Sequence, residues 1–103
     1  MRLADLSGFE WNEGNILKNW EKHKVKHTEV EEIFENKPRF ISKDVKHSRT
    51  EERYQILGIT NQKRKLSVIF TLRSGKIRVI SARNMNLKER LYYEQKSKAS
   101  TKI

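Results

Sequence analysis

The sequence predicts an α+β domain: a short N-terminal strand and two helices packed on an antiparallel sheet of three to four strands, with a C-terminal helix. Apolar residues recur at helical spacing up to residue 36, alternate with a period of two from 39 to 83, and return to helical spacing after residue 86. We expect residues 1–8 to be a flexible leader, 9–95 a single domain and 96–103 a flexible basic tail, because 103 residues support one modest core.

The N-terminal third predicts a short edge strand followed by a helix. Residues 9–11 are aromatic and alternating, and Asn12 is a good N-cap for a helix that runs to about His23. The apolar stripe of this helix is expected to be buried and comprises Ile16, Leu17 and Trp20.

A second helix is predicted from Thr28, with Glu31 completing a capping box. Its apolar stripe comprises Val30, Ile33 and Phe34. Pro38 disfavours helical structure in the residue before it, so the helix is expected to end there. His23 and His27 have the spacing of a helical metal pair, but we expect the helix to break between them and the neighbouring lysines to repel a cation.

Four strands are predicted, at 39–45, 52–60, 65–73 and 76–83, and short loops between them indicate an antiparallel meander. Ser74-Gly75 is a tight hairpin signal. In the fourth strand, strict alternation places Arg78, Ile80 and Ala82 on one face and Ile77, Val79 and Ser81 on the other.

The last helix is predicted from 87 to about 95, with Asn86 as its N-cap and Glu89 as the capping-box partner. Leu87 and Leu91 are expected to form its buried stripe, extended by one of two adjacent tyrosines.

Charge indicates a polyanionic partner. The net charge is +10, but residues 1–36 sum to −3 and residues 37–103 to +13, so the basic part of the chain suits nucleic acid. The chain has no cysteine, which excludes disulfides, thiol nucleophiles and cysteine-ligated zinc. No apolar run approaches membrane-spanning length, so we expect a cytoplasmic protein with no membrane partner.

An ordered set of short motifs across residues 9–95 resembles the BrnT family of toxins. The motifs are F-E-W at 9–11, K-H at 22–23, H-S-x-x-E-E-R at 47–53, R-V-I-S-A-R at 78–83 and E-R-x-x-Y-E at 89–94. The resemblance implies a RelE-like fold and a metal-independent endoribonuclease that inhibits translation as the toxin of a type II toxin–antitoxin module. It also implies a BrnA-like ribbon-helix-helix antitoxin, which contacts operator DNA while bound to the toxin.

The chain departs from the family pattern at two places. After Val25 this chain has Lys26-His27-Thr28, where the family pattern has a small residue followed by Phe-Glu-Glu-Ala. The loop at 61–63 lacks the glycine that the family pattern often has before the arginine at position 64.

Metal-independent RNA cleavage needs a base, an acid and positive charge at the phosphate. Arginine can supply that charge, because its guanidinium stays protonated and binds phosphate oxygens in a bidentate manner. The candidate catalytic groups are Arg78, Arg83, His23, His47 and Glu51. The residues expected to bind RNA are Lys22, Arg53, Arg64, Ser81, Arg90 and Tyr93. No metal ligand set and no cofactor are predicted.

Each of these residues also has a structural interpretation. An arginine on an exposed sheet face is often only solvated, His23 suits the C-terminus of a helix, His47 suits a loop anchor and Glu51 suits an ordinary salt bridge. The alternative function is a non-catalytic basic module that binds nucleic acid and acts with a partner as a corepressor. Such a module binds RNA or DNA with strong salt dependence and leaves it intact.

Overall fold

The computed structural model describes residues 7–47 and 50–101, and these residues confirm the α+β prediction. The elements are α1 (Glu13–His23), α2 (His27–Glu35), β1 (Phe40–Lys43), a 3₁₀ turn (Val45–His47), β2 (Arg53–Ile59), β3 (Lys65–Arg73), β4 (Lys76–Asn84) and α3 (Leu87–Thr101). The four strands form one antiparallel meander in the order β1-β2-β3-β4, as predicted. The expected leader lies largely outside the described residues.

One face of the sheet carries the main core. Its eleven buried residues come from the segment before α2, from α2 itself and from the last three strands: Val25, Val30, Ile33, Phe34, Ile56, Leu66, Val68, Phe70, Ile77, Val79 and Ala82. Edge-to-face contacts link Phe9 to Phe34 and Phe34 to Phe70, so the N-terminal segment also packs onto this face.

Helix α2 approaches β2 closely because position 58 is glycine. A Cβ built on Gly58 would lie 2.8 Å from the Ile33 Cβ and 3.1 Å from the Ile33 carbonyl oxygen. Both atoms belong to rigid parts of the helix, so a larger residue at position 58 must push the helix away from the sheet.

The free edge of β4 is covered by the N-terminal part of the chain. Residues 8–10 pair in parallel with Ile77, giving a single bridge where a short strand was predicted. Further along the edge, the Ala82 amide donates to the Oδ1 of Asn19 at 3.2 Å. These contacts satisfy edge amides that otherwise attract a foreign strand.

A β-bulge interrupts β4 and corrects the predicted face assignment. Ile69 pairs with Ser81 and Phe70 pairs with Val79, which leaves Ile80 as the extra residue. Beyond the bulge the alternation changes phase, so Ala82 joins Val79 in the core. Arg78 and Ser81 therefore share the opposite face, where alternation alone had separated them.

Helix α3 packs on that opposite face, which corrects its predicted apolar stripe. Its buried residue is Tyr93, which joins Leu57 and Met85 in a second apolar cluster. Leu87 and Leu91 are 62% and 57% exposed. The helix also continues to Thr101, beyond the predicted end near residue 95.

The two N-terminal helices differ from prediction in their details. In α1, Asn19 is buried while Leu17 and Trp20 of the predicted stripe are exposed, because the helix meets the polar edge of β4. Helix α2 begins at His27 and not after Thr28, since the carboxylate of Glu29 accepts from the amide at position 26. The predicted break between His23 and His27 is confirmed.

The remaining caps and turns follow the sequence. Asn12 and Asn15 cap α1 reciprocally, and Ser74-Gly75 forms the two-residue hairpin turn with positive φ at both positions, as type I′ requires. Lys63 takes a left-handed φ of 70°, a conformation that glycine adopts without steric cost. No helix among the described residues is long and apolar enough to cross a membrane.

We expect Gly58→Ala to destabilise the fold by about 1–3 kcal/mol, because its methyl group overlaps Ile33. Urea denaturation followed by circular dichroism measures this change. Valine at position 33 keeps the Cβ atom that the new methyl group meets. We therefore expect the double variant Gly58→Ala/Ile33→Val to be no more stable than Gly58→Ala alone. A Gly58→Ala chain as stable as the wild type would contradict the close approach of α2 to β2.

Candidate active site

The sheet face opposite α2, which we call the open face, carries its side chains in cross-strand rows. The first row is Arg53, Thr71 and Arg78; the second is Ser42, Gln55, Ile69 and Ser81; the third is Phe40, Leu57, Ser67 and Arg83. Residues in neighbouring rows are about 7 Å apart along a strand. The register therefore brings together Arg53, Arg78, Ser81 and Arg83, four of the predicted site residues.

The arginines around the first row are held by two glutamates. Glu51 lies 3.7 Å from a guanidinium nitrogen of Arg53 and 3.9 Å from one of Arg73. Glu10 lies 3.2 Å from Arg78 and 4.0 Å from Arg73. The side chains are between a quarter and a half exposed, so we assign these pairs a positioning role and little stability.

Arg83 is held by a bidentate ion pair with Glu89. Its two terminal nitrogens donate to the two carboxylate oxygens of Glu89 at 2.7 and 3.0 Å. Gln55 donates to Glu89 at 2.9 Å, and Glu89 also exchanges hydrogen bonds with Asn86, as the predicted capping box requires. One carboxylate thus ties the end of β4 to the first turn of α3 and to β2.

The charges of this pair reinforce each other. Burial opposes ionisation of Glu89, but hydrogen bonds from Arg83 and from the Asn86 amide, together with the charge of Arg83, outweigh it and lower the Glu89 pKa. The hydrogen bond to Glu89 in turn raises the pKa of Arg83. Both groups are charged at neutral pH, so Glu89 is suited to orienting Arg83 and not to exchanging protons there.

A groove of about 420 Å³ lies between these groups. Its lining includes two arginines, Arg53 and Arg83, together with Ile69, Ile80 and Ser81. The bulge contributes directly, because Ile80 and the residue after it both line the groove. A guanidinium on each side of a hydroxyl is an arrangement that binds a phosphate diester.

Other predicted site residues lie elsewhere. Lys22 and His23 end α1, beside the edge of β4, and the His23 carbonyl accepts a hydrogen bond from Arg64. Arg64 also bonds the Lys24 carbonyl, Glu29 and Asn84, so its guanidinium joins both helices to the sheet. The geometry favours a structural role for Arg64.

Three further predicted residues are on or near the open face. Tyr93 is 3% exposed and its hydroxyl donates to the Pro38 carbonyl at 2.7 Å, whereas Tyr92 is 47% exposed, so Tyr92 is better placed to contact RNA. Arg90 is exposed on α3. The backbone of His47 ends the 3₁₀ turn that follows the groove residue Asp44, and its side chain lies outside the described residues.

Sequence reasoning missed four polar residues that organise the site: Glu10, Gln55, Arg73 and Glu89. The capping-box spacing identified Glu89 as a helix cap only, and no local pattern pairs it with Arg83. Residues 10 and 78 are also far apart in the chain. Among residues 7–47 and 50–101, no group of three or more histidine or acidic side chains is arranged to hold a metal ion.

Comparison with protein families shows which family this chain belongs to. The family described as the ribonuclease toxin, BrnT, of type II toxin–antitoxin systems matches residues 11–89. The chain belongs to the BrnT family. The match includes every arginine of the open face and ends at Glu89. Comparison with curated proteins gives no match. As a BrnT toxin, the chain is a ribonuclease toxin of a type II system and has an antitoxin partner.

We expect Glu89→Gln to lower the free energy of unfolding of this BrnT toxin by about 1–3 kcal/mol at pH 7, because it weakens charged hydrogen bonds to Arg83 and to the α3 cap. A lowered pKa means that ionised Glu89 stabilises the fold above its unfolded pKa, and that this contribution is lost as the pH falls through the folded value. The difference between the two proteins should therefore shrink towards pH 3.

Urea denaturation at pH 7 and pH 3 measures this convergence. Glu94, on the same helix, provides the matched control. Glu94→Gln removes a more exposed ion pair with Lys65 of β3 and should change stability less. A stability difference between the wild type and Glu89→Gln that is equal at both pH values would contradict the charged pair.

Proposed function

We propose that the groove of the open face binds the RNA backbone and cleaves it as a metal-independent endoribonuclease that inhibits translation in the cytoplasm. One observation carries the proposal. The bulge at Ile80 places Arg78, Ser81 and Arg83 on the same face as Arg53, in a chain of a ribonuclease family. Fixed arginines around a phosphate supply the charge that a metal ion supplies in other nucleases.

The proposed reaction is attack by a ribose 2′-oxygen on the adjacent phosphorus. The bond from phosphorus to the 5′-oxygen breaks, leaving a 2′,3′-cyclic phosphate and a 5′-hydroxyl. A base on the protein takes the proton of the 2′-hydroxyl, and an acid gives a proton to the departing 5′-oxygen. Negative charge grows on the non-bridging oxygens in the transition state, where guanidinium donors stabilise it.

In this proposal Arg83 and Arg53, which both line the groove, bind the scissile phosphate. Arg83 is held by Glu89, so little reorganisation is needed when the transition state forms. Arg78 lies in the same row as Arg53 and is held by Glu10, which suits it to the neighbouring phosphate. Ser81 lies between these arginines and is available to donate a hydrogen bond to a phosphate oxygen.

We assign proton transfer to Glu51 and His47. Glu51 lies beside Arg53, and its carboxylate is one-third exposed, so it is accessible to a hydroxyl of bound RNA. His47 ends the turn next to the groove residue Asp44, and histidine titrates in the physiological pH range. His23 lies beside the edge of β4 and is therefore the weaker candidate.

The antitoxin is proposed to be a BrnA-like ribbon-helix-helix protein that covers the basic rim of the open face. Arg39, Lys43 and Lys88 add cations around the arginines. Covering this rim blocks RNA, and the antitoxin's own DNA-binding element then connects the toxin to operator DNA.

We expect the purified toxin, freed of antitoxin, to cleave single-stranded RNA in the presence of EDTA. Arg83→Ala should lower the cleavage rate by about 10²–10³, the usual cost of removing one transition-state donor. Gel analysis of a labelled RNA measures both. Lys18→Ala is the control, because it removes an exposed cation from α1 and should leave the rate unchanged.

Folded wild-type toxin that binds RNA without cleaving it, with or without EDTA, would instead support the non-catalytic corepressor module. Cleavage that EDTA abolishes and Mg²⁺ restores would overturn metal independence. Activity retained in Arg83→Ala, with an unchanged fold, would remove that residue from the mechanism.

We expect Glu51→Gln to lower kcat by about 10²–10⁴ with little change in KM, because the amide keeps the shape of the side chain but is no longer a base. Single-turnover cleavage across a pH series measures this loss. The matched control is the neighbouring Glu52→Gln, whose carboxylate pairs with Lys43 and Tyr54 and not with an arginine of the first row. Equal activity of the Glu51 and Glu52 variants would contradict the assignment of the base.

A further inference from the structure

A second cavity adjoins the groove and has no role in the proposed phosphate chemistry. It measures about 540 Å³ and lies between β1 and the first half of α3. We call it the aromatic pocket, after the rings of Phe40 and Tyr92 that line it. Ser42 and Gln55 line both the aromatic pocket and the groove, so the two are continuous.

The walls of the aromatic pocket combine aromatic rings with cations. The ring of Tyr92 meets that of Phe40 edge to face at 6.5 Å, and Tyr92 is 47% exposed. The ammonium group of Lys96 lies 5.6 Å from the Phe40 ring and 5.5 Å from the Tyr92 ring. Arg39 and Lys88 also line the pocket. Exposed aromatic rings among cations are characteristic of sites for single-stranded nucleic acid.

We propose that the aromatic pocket binds one unpaired nucleobase of the RNA, next to the phosphate held in the groove. This inference rests on the proposed function of the groove. The base stacks on Tyr92, displacing Lys96 from the ring towards the backbone of the RNA, while Lys88 and Arg39 meet the adjoining phosphate. The volume falls within the range of pockets that enclose small organic groups.

The spacing between the two sites suits a single nucleotide. Phe40 and Ser42 are on the same face of β1, about 7 Å apart. Ser42 borders the groove and Phe40 borders only the aromatic pocket. A base that stacks in the pocket therefore belongs to a nucleotide directly beside the scissile phosphate.

A polar group lies where the edge of the base would meet the wall. Both hydrogens of the Gln55 amide are taken, by Ser67 at 3.0 Å and Glu89 at 2.9 Å. Gln55 therefore offers its carbonyl oxygen Oε1, which accepts a hydrogen bond from an N–H on the edge of a base. Because Gln55 also binds Glu89, an occupied pocket is connected to the residue that orients Arg83.

Chimeric oligonucleotides test the proposal. Each has one cleavable ribonucleotide, taken from a mapped cleavage site, within a 2′-O-methyl chain. Two further versions carry an abasic unit in place of the base on either side of the cleaved bond. In the wild type, one of the two abasic substrates should lose about 5- to 150-fold in kcat/KM, the usual effect of one lost stack.

The same substrates are then cleaved by three variants. Tyr92→Ala should lose a similar factor on the intact substrate and show no further loss on the abasic one. Tyr92→Phe should behave like the wild type, because the ring is kept. Leu91→Ala is the matched control, since this exposed residue neighbours Tyr92 and does not line the pocket.

The outcomes separate this inference from the proposed function. Wild-type cleavage that is equal on intact and abasic substrates overturns the nucleobase site and leaves the ribonuclease intact. A toxin that cleaves no RNA fails the proposed function. The pocket is then tested by anisotropy with intact and abasic 2′-O-methyl oligonucleotides, and equal affinity for the two overturns the nucleobase site. Tyr92→Ala that loses antitoxin binding, with its abasic penalty unchanged, assigns the pocket to the antitoxin and overturns the proposal.

Discussion

One extra residue in β4 decides which side chains meet on the open face. Without the bulge at Ile80, strict alternation along the strand would direct Ser81 and Arg83 to the core face, opposite to Arg78. Ile77 and Val79, which precede the bulge, lie in the core. Because of the bulge, Ala82 lies in the core too. The same backbone irregularity therefore completes the core on one face and gathers the arginines on the other.

The site is built from arginines that the protein itself restrains. Glu10, Glu51 and Glu89 each contact at least one guanidinium, and Glu89 also accepts hydrogen bonds from Gln55 and from the Asn86 amide. The open face is then less positive than the net charge of +10 indicates, which favours a defined phosphate position over general attraction.

Helix α3 connects the BrnT fold to the site. Its first turn supplies Glu89, its middle supplies Tyr93 for the second apolar cluster, and its exposed Tyr92 borders the aromatic pocket. Adjacent tyrosines on one helix point in directions about 100° apart, so one is buried while the other faces solvent. A single helix thus positions an arginine, anchors itself to the sheet and exposes a ring at the aromatic pocket.

The sequence by itself determined the element order, the meander, the Asn86–Glu89 capping box and the family, because these depend on local periodicity and on motifs in chain order. It also predicted Arg53, Arg78, Ser81 and Arg83 as site residues. Only the tertiary structure decided that they share a face, that Glu89 and Glu10 restrain them, and that Arg64 and Tyr93 are engaged within the protein. Those outcomes depend on strand register, on one bulge and on contacts between distant residues, and none of these leaves a local signal in the sequence.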